Sequence, residues 1–405
     1  LLEFAQRIGA IYIETSRTPP HREPTEYAMH NPFYYGRTVE GAAFINRENE
    51  IRQISSDLER GQSVILFSPR RYGKTSVIRR VIEKLRKRKV LCFYVDLYTV
   101  ASLDEFYSRY STAVARSLRS PAESLVSLMQ SLLPLVKPKL VYAEPGAPSI
   151  EIEAGLPVLR QPATLRELFE SVERYCAKRG RRATVVFDEF QEITALDCGS
   201  ELEREMRSVF QHHQHVSYAF LGSKMHLMNE LFKDKNRPFY NFGRRVELDA
   251  IAADHWRKDI ADKFSAGGYE IDRPAVEAII DASQGHPYYT QLLCSEIWDR
   301  HTDTRTVTAS DVASVIQTAI DKESHAFQEL WDSLTGAQRR MVQVLSREPE
   351  IEIYSADAVR RHNLGALSSI TRIIGQLQKR GIVTRKEQRH VLTDPFVAKW
   401  IALRR

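Results

Sequence analysis

The stretch Val64-Ile65-Leu66-Phe67-Ser68-Pro69-Arg70-Arg71-Tyr72-Gly73-Lys74-Thr75 limits what this chain can fold into more than any other. A β-branched apolar run stops at a turn ending in Gly-Lys-Thr. Val77, Ile78, Val81, Ile82 and Leu85 then recur at the spacing of an amphipathic helix. Strand, tight loop and helix in that order make a phosphate cradle, because loop N–H groups and the new helix's N-terminus converge on one anion. In that reading Ser68, Pro69, Arg70, Arg71, Tyr72, Gly73, Lys74, Thr75 and Ser76 form a nucleotide-binding loop. Lys74 reaches the outer phosphates and Thr75 holds a Mg²⁺ ion. The usual pattern, G-x-x-x-x-G-K-[ST], has glycine where this chain has Ser68. Serine serves there if its backbone stays in the β region. The plainer alternative for the whole stretch is a basic surface turn.

A second stretch narrows the choice. Ala183-Thr184-Val185-Val186-Phe187-Asp188-Glu189-Phe190-Gln191 is an apolar strand ending in two adjacent carboxylates. In a parallel sheet such an end faces the phosphate loop, where open α/β sheets bind ligands. Asp188 then meets the Mg²⁺ through its water shell, and Glu189 orients and deprotonates an attacking water. Any apolar strand running into a polar loop can look like this. Its pairing with Gly73-Lys74-Thr75 is much rarer by chance.

Around these two sites the patterns alternate. Val90–Asp96, Val216–Ser223 and Arg244–Leu248 read as further strands separated by helical stretches, which suits a doubly wound parallel sheet. Residues 102–136 read as helices. The proline-rich segment from Val136 to Gln161, with Ser149-Ile150-Glu151-Ile152-Glu153 alternating between faces, reads as a hairpin or loop insertion. Leu1–Ile13 has helical spacing. Asn31-Pro32-Phe33-Tyr34-Tyr35-Gly36 and Phe44-Ile45 precede the loop strand, and their aromatic and apolar side chains either wall an adenine ring or pack against the sheet. His212, His213 and His215 cluster at a helix end, yet no carboxylate or cysteine joins them at ligand spacing, which weighs against a metal site. From Ala253 to about Ile320 the pattern is helical throughout.

Composition places the chain among globular proteins of two or three domains, with 405 residues, 43% hydrophobic and 27% charged. Cys92, Cys176, Cys198 and Cys294 are scattered without a C-x-x-C pair, so neither a disulfide framework nor a structural zinc is expected. Neither a membrane span nor a signal peptide is legible, and the expected location is the cytoplasm. Positive charge is concentrated at one end: residues 336–405 hold 14 Lys and Arg against 6 Asp and Glu, an excess larger than the +6 of the whole chain. That segment shows helices at about 336–346, 355–361 and 366–380, then a hairpin from Gly381 to Leu392, the layout of a winged helix. Ser368, Ser369, Arg372, Gln376 and Lys379 on the third helix, and Arg385, Lys386 and Arg389 on the wing, are the candidate DNA contacts.

With these pieces the chain resembles the archaeal-type ATPases among the AAA+ and signalling P-loop NTPases, and it also resembles origin-recognition ATPases. The likeness rests on Phe44-x-x-Arg47-Glu48-x-Glu50, the Pro69–Thr75 loop, Phe187-Asp188-Glu189-Phe190-Gln191 and Gly285-His286-Pro287. It implies a P-loop parallel sheet sandwiched by helices, then a helical lid and a winged-helix domain. The division implied is an extension (1–43), an ATPase core (44–250, insertion about 136–161), a lid (251–330) and a winged helix (331–405). By the same likeness Phe44, Arg47 and Pro287 border the nucleotide and Ser223 is the sensor at the end of its strand. Arg244, Arg245 or Arg237 is the candidate to act on a neighbour's γ-phosphate, the plainer alternative being simply a basic strand start. The implied ligands are ATP or ADP with Mg²⁺, in a nucleotide-dependent homo-oligomer. The activity expected is ATP hydrolysis coupled to DNA or partner engagement. The alternative is a signalling switch whose winged helix is a protein–protein module holding ADP. A nucleotide-binding scaffold without turnover comes third.

Overall fold

Four apolar residues, Val64–Phe67 (β1), form an interior strand of a five-stranded sheet. In the computed structural model the described residues are 30–37, 44–117, 137–143, 147–153, 162–386 and 388–404. Contacts divide the chain into Leu1–Asn31 and Pro32–Arg405, and the second unit is described below. The helical reading of Leu1–Ile13 lies outside the described residues.

Glu48–Glu59 (α1) precedes β1, and Lys74–Lys87 (α2) follows the phosphate loop. Then come Leu91–Asp96 (β2), Leu103–Ser117 (α3), a hairpin of Lys137–Ala143 (β3) and Ala147–Glu153 (β4), and Pro162–Arg179 (α4). Ala183–Asp188 (β5), Gly199–Phe210 (α5), Val216–Gly222 (β6), Met225–Lys233 (α6) and Arg244–Glu247 (β7) complete the core. The sheet order is β2-β5-β6-β1-β7 and every pairing is parallel. Because side chains alternate along a strand, each strand feeds two cores. Ile65, Phe67, Val185, Phe187 and Phe220 pack on one face with α3 to α6, while Val64, Leu66, Val186 and Leu221 pack on the other with α1 and α2. Burial on both faces is why these strands read as continuous apolar runs. The insertion proves to be the antiparallel β3–β4 pair; the helical reading of 118–136 lies outside the described residues.

Beyond the sheet lie Ala253–Ala266 (α7), Arg273–Ser283 (α8), Pro287–Arg300 (α9) and Ala309–Asp332 (α10). The expectation of an entirely helical stretch needs one correction. Glu270–Ile271 (β8) and Thr306–Val307 (β9) form a two-stranded parallel pair between the helices. The C-terminal part contains Gly336–Arg347 (α11), Ala356–Arg361 (α12), Leu367–Lys379 (α13), a wing of Val383–Lys386 (β10) and Arg389–Leu392 (β11), and Pro395–Leu403 (α14). Its apolar residues and those of α7 to α10 belong to one continuous core. Lid and winged helix are thus packed as one body. No described helix is long and apolar enough to cross a membrane.

Candidate functional site

The loop between β1 and α2 opens at the C-terminal edge of the sheet. Gly73 sits at φ 88°, a conformation that side chains resist, and no atom lies within 4 Å of where its Cβ would be. Ser68 is buried and is not among the described residues with positive φ, so serine carries no backbone strain in the place of the first glycine. The Ser68 hydroxyl donates to Pro69 O at 3.2 Å. Lys74 Nζ donates to Ser68 O (3.0 Å) and Pro69 O (3.3 Å), folded back along its own loop. Burial pulls the Lys74 ammonium below its ordinary pKa, and the Glu189 and Asp188 carboxylates oppose that pull.

Asp188 ends β5 and meets the start of α2 across the intervening strand β6. Its Oδ2 lies 3.5 Å from Thr75 Oγ1, although the two residues are 113 apart in sequence. Oδ2 also accepts from the Tyr94 hydroxyl, and Oδ1 accepts the Glu189 N–H at 2.9 Å. Burial raises the Asp188 carboxyl above its usual range, with the Tyr94 hydrogen bond working against it. A buried carboxylate beside a helix-terminal threonine hydroxyl and an open phosphate loop is the donor set that hydrated Mg²⁺ takes, so these residues fit the implied metal.

Glu189 stands at φ 51°, in the left-handed region, and turns the chain from β5 into a 3₁₀ turn over Phe190–Ala195. Its Oε2 accepts from Ser223 Oγ at 2.7 Å and from Gln191 Nε2 at 2.6 Å. Ser223 therefore touches the carboxylate assigned as base.

A cavity of about 650 Å³ extends from the loop. Arg70, Arg71, Tyr72, Gly73, Lys74, Thr75, Ser76, Glu189, Phe44, Arg47 and Pro287, all singled out from the sequence, line it. So do Tyr34 and Tyr35, from the aromatic stretch ahead of the loop strand, and Tyr98, Tyr288 and Gln291, which sequence reasoning missed. Tyr34 N–H donates to Gln291 Oε1 at 3.1 Å, and Arg71 lies over the Tyr288 ring at 4.2 Å. Arg47 is buried and donates to Asp249 O and to Glu50 Oε1 (3.1 Å), so it braces the wall of the cavity.

The loop also reaches the C-terminal part. Tyr72 meets His286 edge-on at 4.5 Å, and Tyr289 stacks on Phe396 at 4.0 Å. Tyr289 hydroxyl donates to Asp394 Oδ2 at 2.6 Å. Gly285 lets the turn before α9 approach Ile251 closely: it has φ 68°, and a Cβ there would fall 2.3 Å from Ile251 O. Burial pushes the His286 imidazole down to about 3, and Arg71 and Lys386 add to that shift.

The remaining residues lie elsewhere. Arg244 and Arg245 start β7, at the sheet end opposite the loop; Arg244 is paired with Asp57 at 3.0 Å and Arg245 is exposed. Arg237 is bound to the buried Glu203 at 3.0 Å. Arg372, Lys379, Arg385 and Lys386 are exposed. Arg389 pairs with Glu350, and Gln376 accepts from Gln338. His213 bonds to the Tyr218 hydroxyl (2.6 Å) and His215 to Glu173 (2.8 Å), and no cluster of three or more His, Cys, Asp or Glu that could hold a metal ion is found among the described residues.

A family model described as an ATPase domain predominantly from Archaea matches residues 44–293. The chain belongs to this family of archaeal-type ATPases. A model for a probable winged-helix domain matches residues 325–403 of the ATPase. Among solved structures it is similar to a Walker-type ATPase of Pyrococcus abyssi, at TM-score 0.62 and 16% identity over 89% of this chain and 97% of the other. It is also similar to the ORC2 protein of Aeropyrum pernix in ADPNP–ADP complexes, at TM-score 0.52 and 12% identity over 91% of this chain and 98% of the other. At those identities the likeness shows the fold alone. No curated protein matches the sequence of this ATPase.

Proposed function

We propose that this ATPase hydrolyses Mg·ATP at the β1–α2 loop and uses its nucleotide state to control what its winged helix engages. Lys74, the loop N–H groups and the start of α2 bind the phosphates. Thr75 and Asp188 hold the metal. Bound Mg²⁺ would neutralise charge between the phosphate oxygens. Glu189 takes the proton of the attacking water, and Ser223 positions the carboxylate and senses the phosphate. Of the arginines at the start of β7, Arg244 is committed to Asp57, so action on a neighbouring copy in an oligomer falls to Arg245.

The observation that carries the coupling is the contact chain from Tyr72 through His286 and Tyr289 to Asp394 and Phe396. A loop that shifts when phosphate binds pushes on the winged helix through His286 and Tyr289. DNA is the favoured ligand because Arg372, Arg385 and Lys386 present exposed positive charge on helix and wing. Arg385→Ala combined with Lys386→Ala should weaken binding to duplex DNA and lower the salt slope by about two, one for each phosphate no longer neutralised. The titration is run with Mg·ADP and with a non-hydrolysable ATP analogue, and the two states should differ in affinity.

The protein–protein reading has one specific observation in its favour. The third winged-helix segment, α13, packs against α6 of the core, and the Lys379 charge acts on His226 there. Absence of DNA binding at low salt in both nucleotide states would favour that reading over DNA.

A further inference from the structure

Gln191 has no part in the roles assigned above, yet it is fully buried beside Glu189. Its Nε2 donates to two carboxylates, Glu189 Oε2 at 2.6 Å and Glu192 Oε1 at 3.1 Å. Its own Oε1 is buried without a hydrogen-bond partner. An orphaned buried carbonyl is costly, but flipping the amide would set that oxygen against both carboxylates. The amide is therefore fixed in the donating orientation. Glu192 is held in turn by Lys224 at 2.8 Å, and Lys224 follows Ser223, the other donor to Glu189. The ends of β5 and β6 are closed into a ring of polar contacts running Ser223, Glu189, Gln191, Glu192, Lys224. Gly222 lies against the amide, since a Cβ there would come 2.5 Å from Gln191 Oε1 and 2.3 Å from Met228 Sδ.

We infer that Gln191 is a positioning residue for hydrolysis, fixing the Glu189 side chain so that one carboxylate oxygen is consumed by Gln191 and Ser223 while Oε1 is left for the attacking water. The inference rests on Glu189 being the general base. Both donors converge on Oε2 and none of the described hydrogen bonds uses Oε1. Glu189 also sits on a left-handed backbone, a strained conformation for a non-glycine residue that persists only where its surroundings hold it. A carboxylate displaced by about an ångström can lose on the order of a hundredfold in rate.

The test uses the full chain and three variants. Gln191→Met keeps length and packing without the N–H donor. It should lower kcat roughly tenfold to a hundredfold while the affinity for ADP stays within about threefold, because the amide lies outside the phosphate loop. Gln191→Glu adds a carboxyl facing Glu189 and Glu192, with Lys224 beyond Glu192 and Asp188 and Lys74 beyond Glu189. Its rate relative to the unmutated ATPase should rise as pH falls from 8 to 6, when the added carboxyl is protonated and can donate. Gln191→Met turning over at the unmutated rate overturns the inference. So does a loss in both variants that follows ADP affinity and does not move with pH. Glu189→Gln, assayed alongside, separates the two levels: if it hydrolyses ATP normally, the assignment of the base has failed. If it is inactive while Gln191→Met is normal, only the positioning role has failed.

Discussion

Glu189→Gln is expected to bind Mg·ATP as tightly as the unmutated chain and to hydrolyse it about 10²–10⁴-fold more slowly, the usual contribution of a positioned general base. That range corresponds to about 3–5 kcal/mol in the barrier. The amide keeps the volume of the carboxylate and can still pair with Ser223 through its oxygen. Binding should survive because the proposed phosphate contacts belong to the loop and α2, whereas Glu189 contributes one edge of the cavity. A single-turnover assay on preloaded radiolabelled ATP reads the two properties separately. Hydrolysis at the unmutated rate would remove Glu189 from the chemistry and leave the β5 end with a structural role.

Lys74→Ala should weaken ATP and ADP binding at least about a hundredfold, near 2.7 kcal/mol, in the range of one or two charge-assisted hydrogen bonds. Two effects add. The buried ammonium, which faces the Asp188 and Glu189 carboxylates, is removed as a phosphate partner. The loop is also deprived of the brace from Nζ to the Ser68 and Pro69 carbonyls. Lys74→Arg separates them, because it keeps the charge but not the compact geometry of an ammonium. Isothermal titration with ADP measures affinity. The rise in melting temperature on adding ADP, which depends on binding to the folded state alone, provides a second reading. Undiminished ADP affinity in Lys74→Ala would place the nucleotide elsewhere.

Much of the fold was legible because it is written in local patterns. The core strands are apolar on both faces, and the three C-terminal helices and hairpin announce themselves by periodicity and a glycine at 381. What escaped has no local signature. The β8–β9 pair is two residues per strand, too short for any alternation to show. Tyr289 and Asp394 are 105 residues apart, and Gln191 reads simply as the end of an acidic strand terminus until Ser223 and Lys224 arrive from β6. Arg47 and Arg244 show what the sequence leaves out about a side chain's partners. Arg47 lines the cavity while bonded to Asp249 and Glu50, and Arg244 is paired with Asp57. The excess positive charge near the C-terminus is also partly neutralised: Arg361 pairs with Glu348 and Arg389 with Glu350, while Arg372, Arg385 and Lys386 stay exposed.

The central claim is that the ends of β1 and β5 meet around one metal-bound nucleotide. Calorimetric titration of ADP with and without Mg²⁺, on the unmutated chain and on Thr75→Ala and Asp188→Asn, tests it most directly. Magnesium should tighten ADP binding at least about tenfold, or 1.4 kcal/mol, in the unmutated chain and much less in either variant. An equal magnesium enhancement in all three proteins would contradict the account.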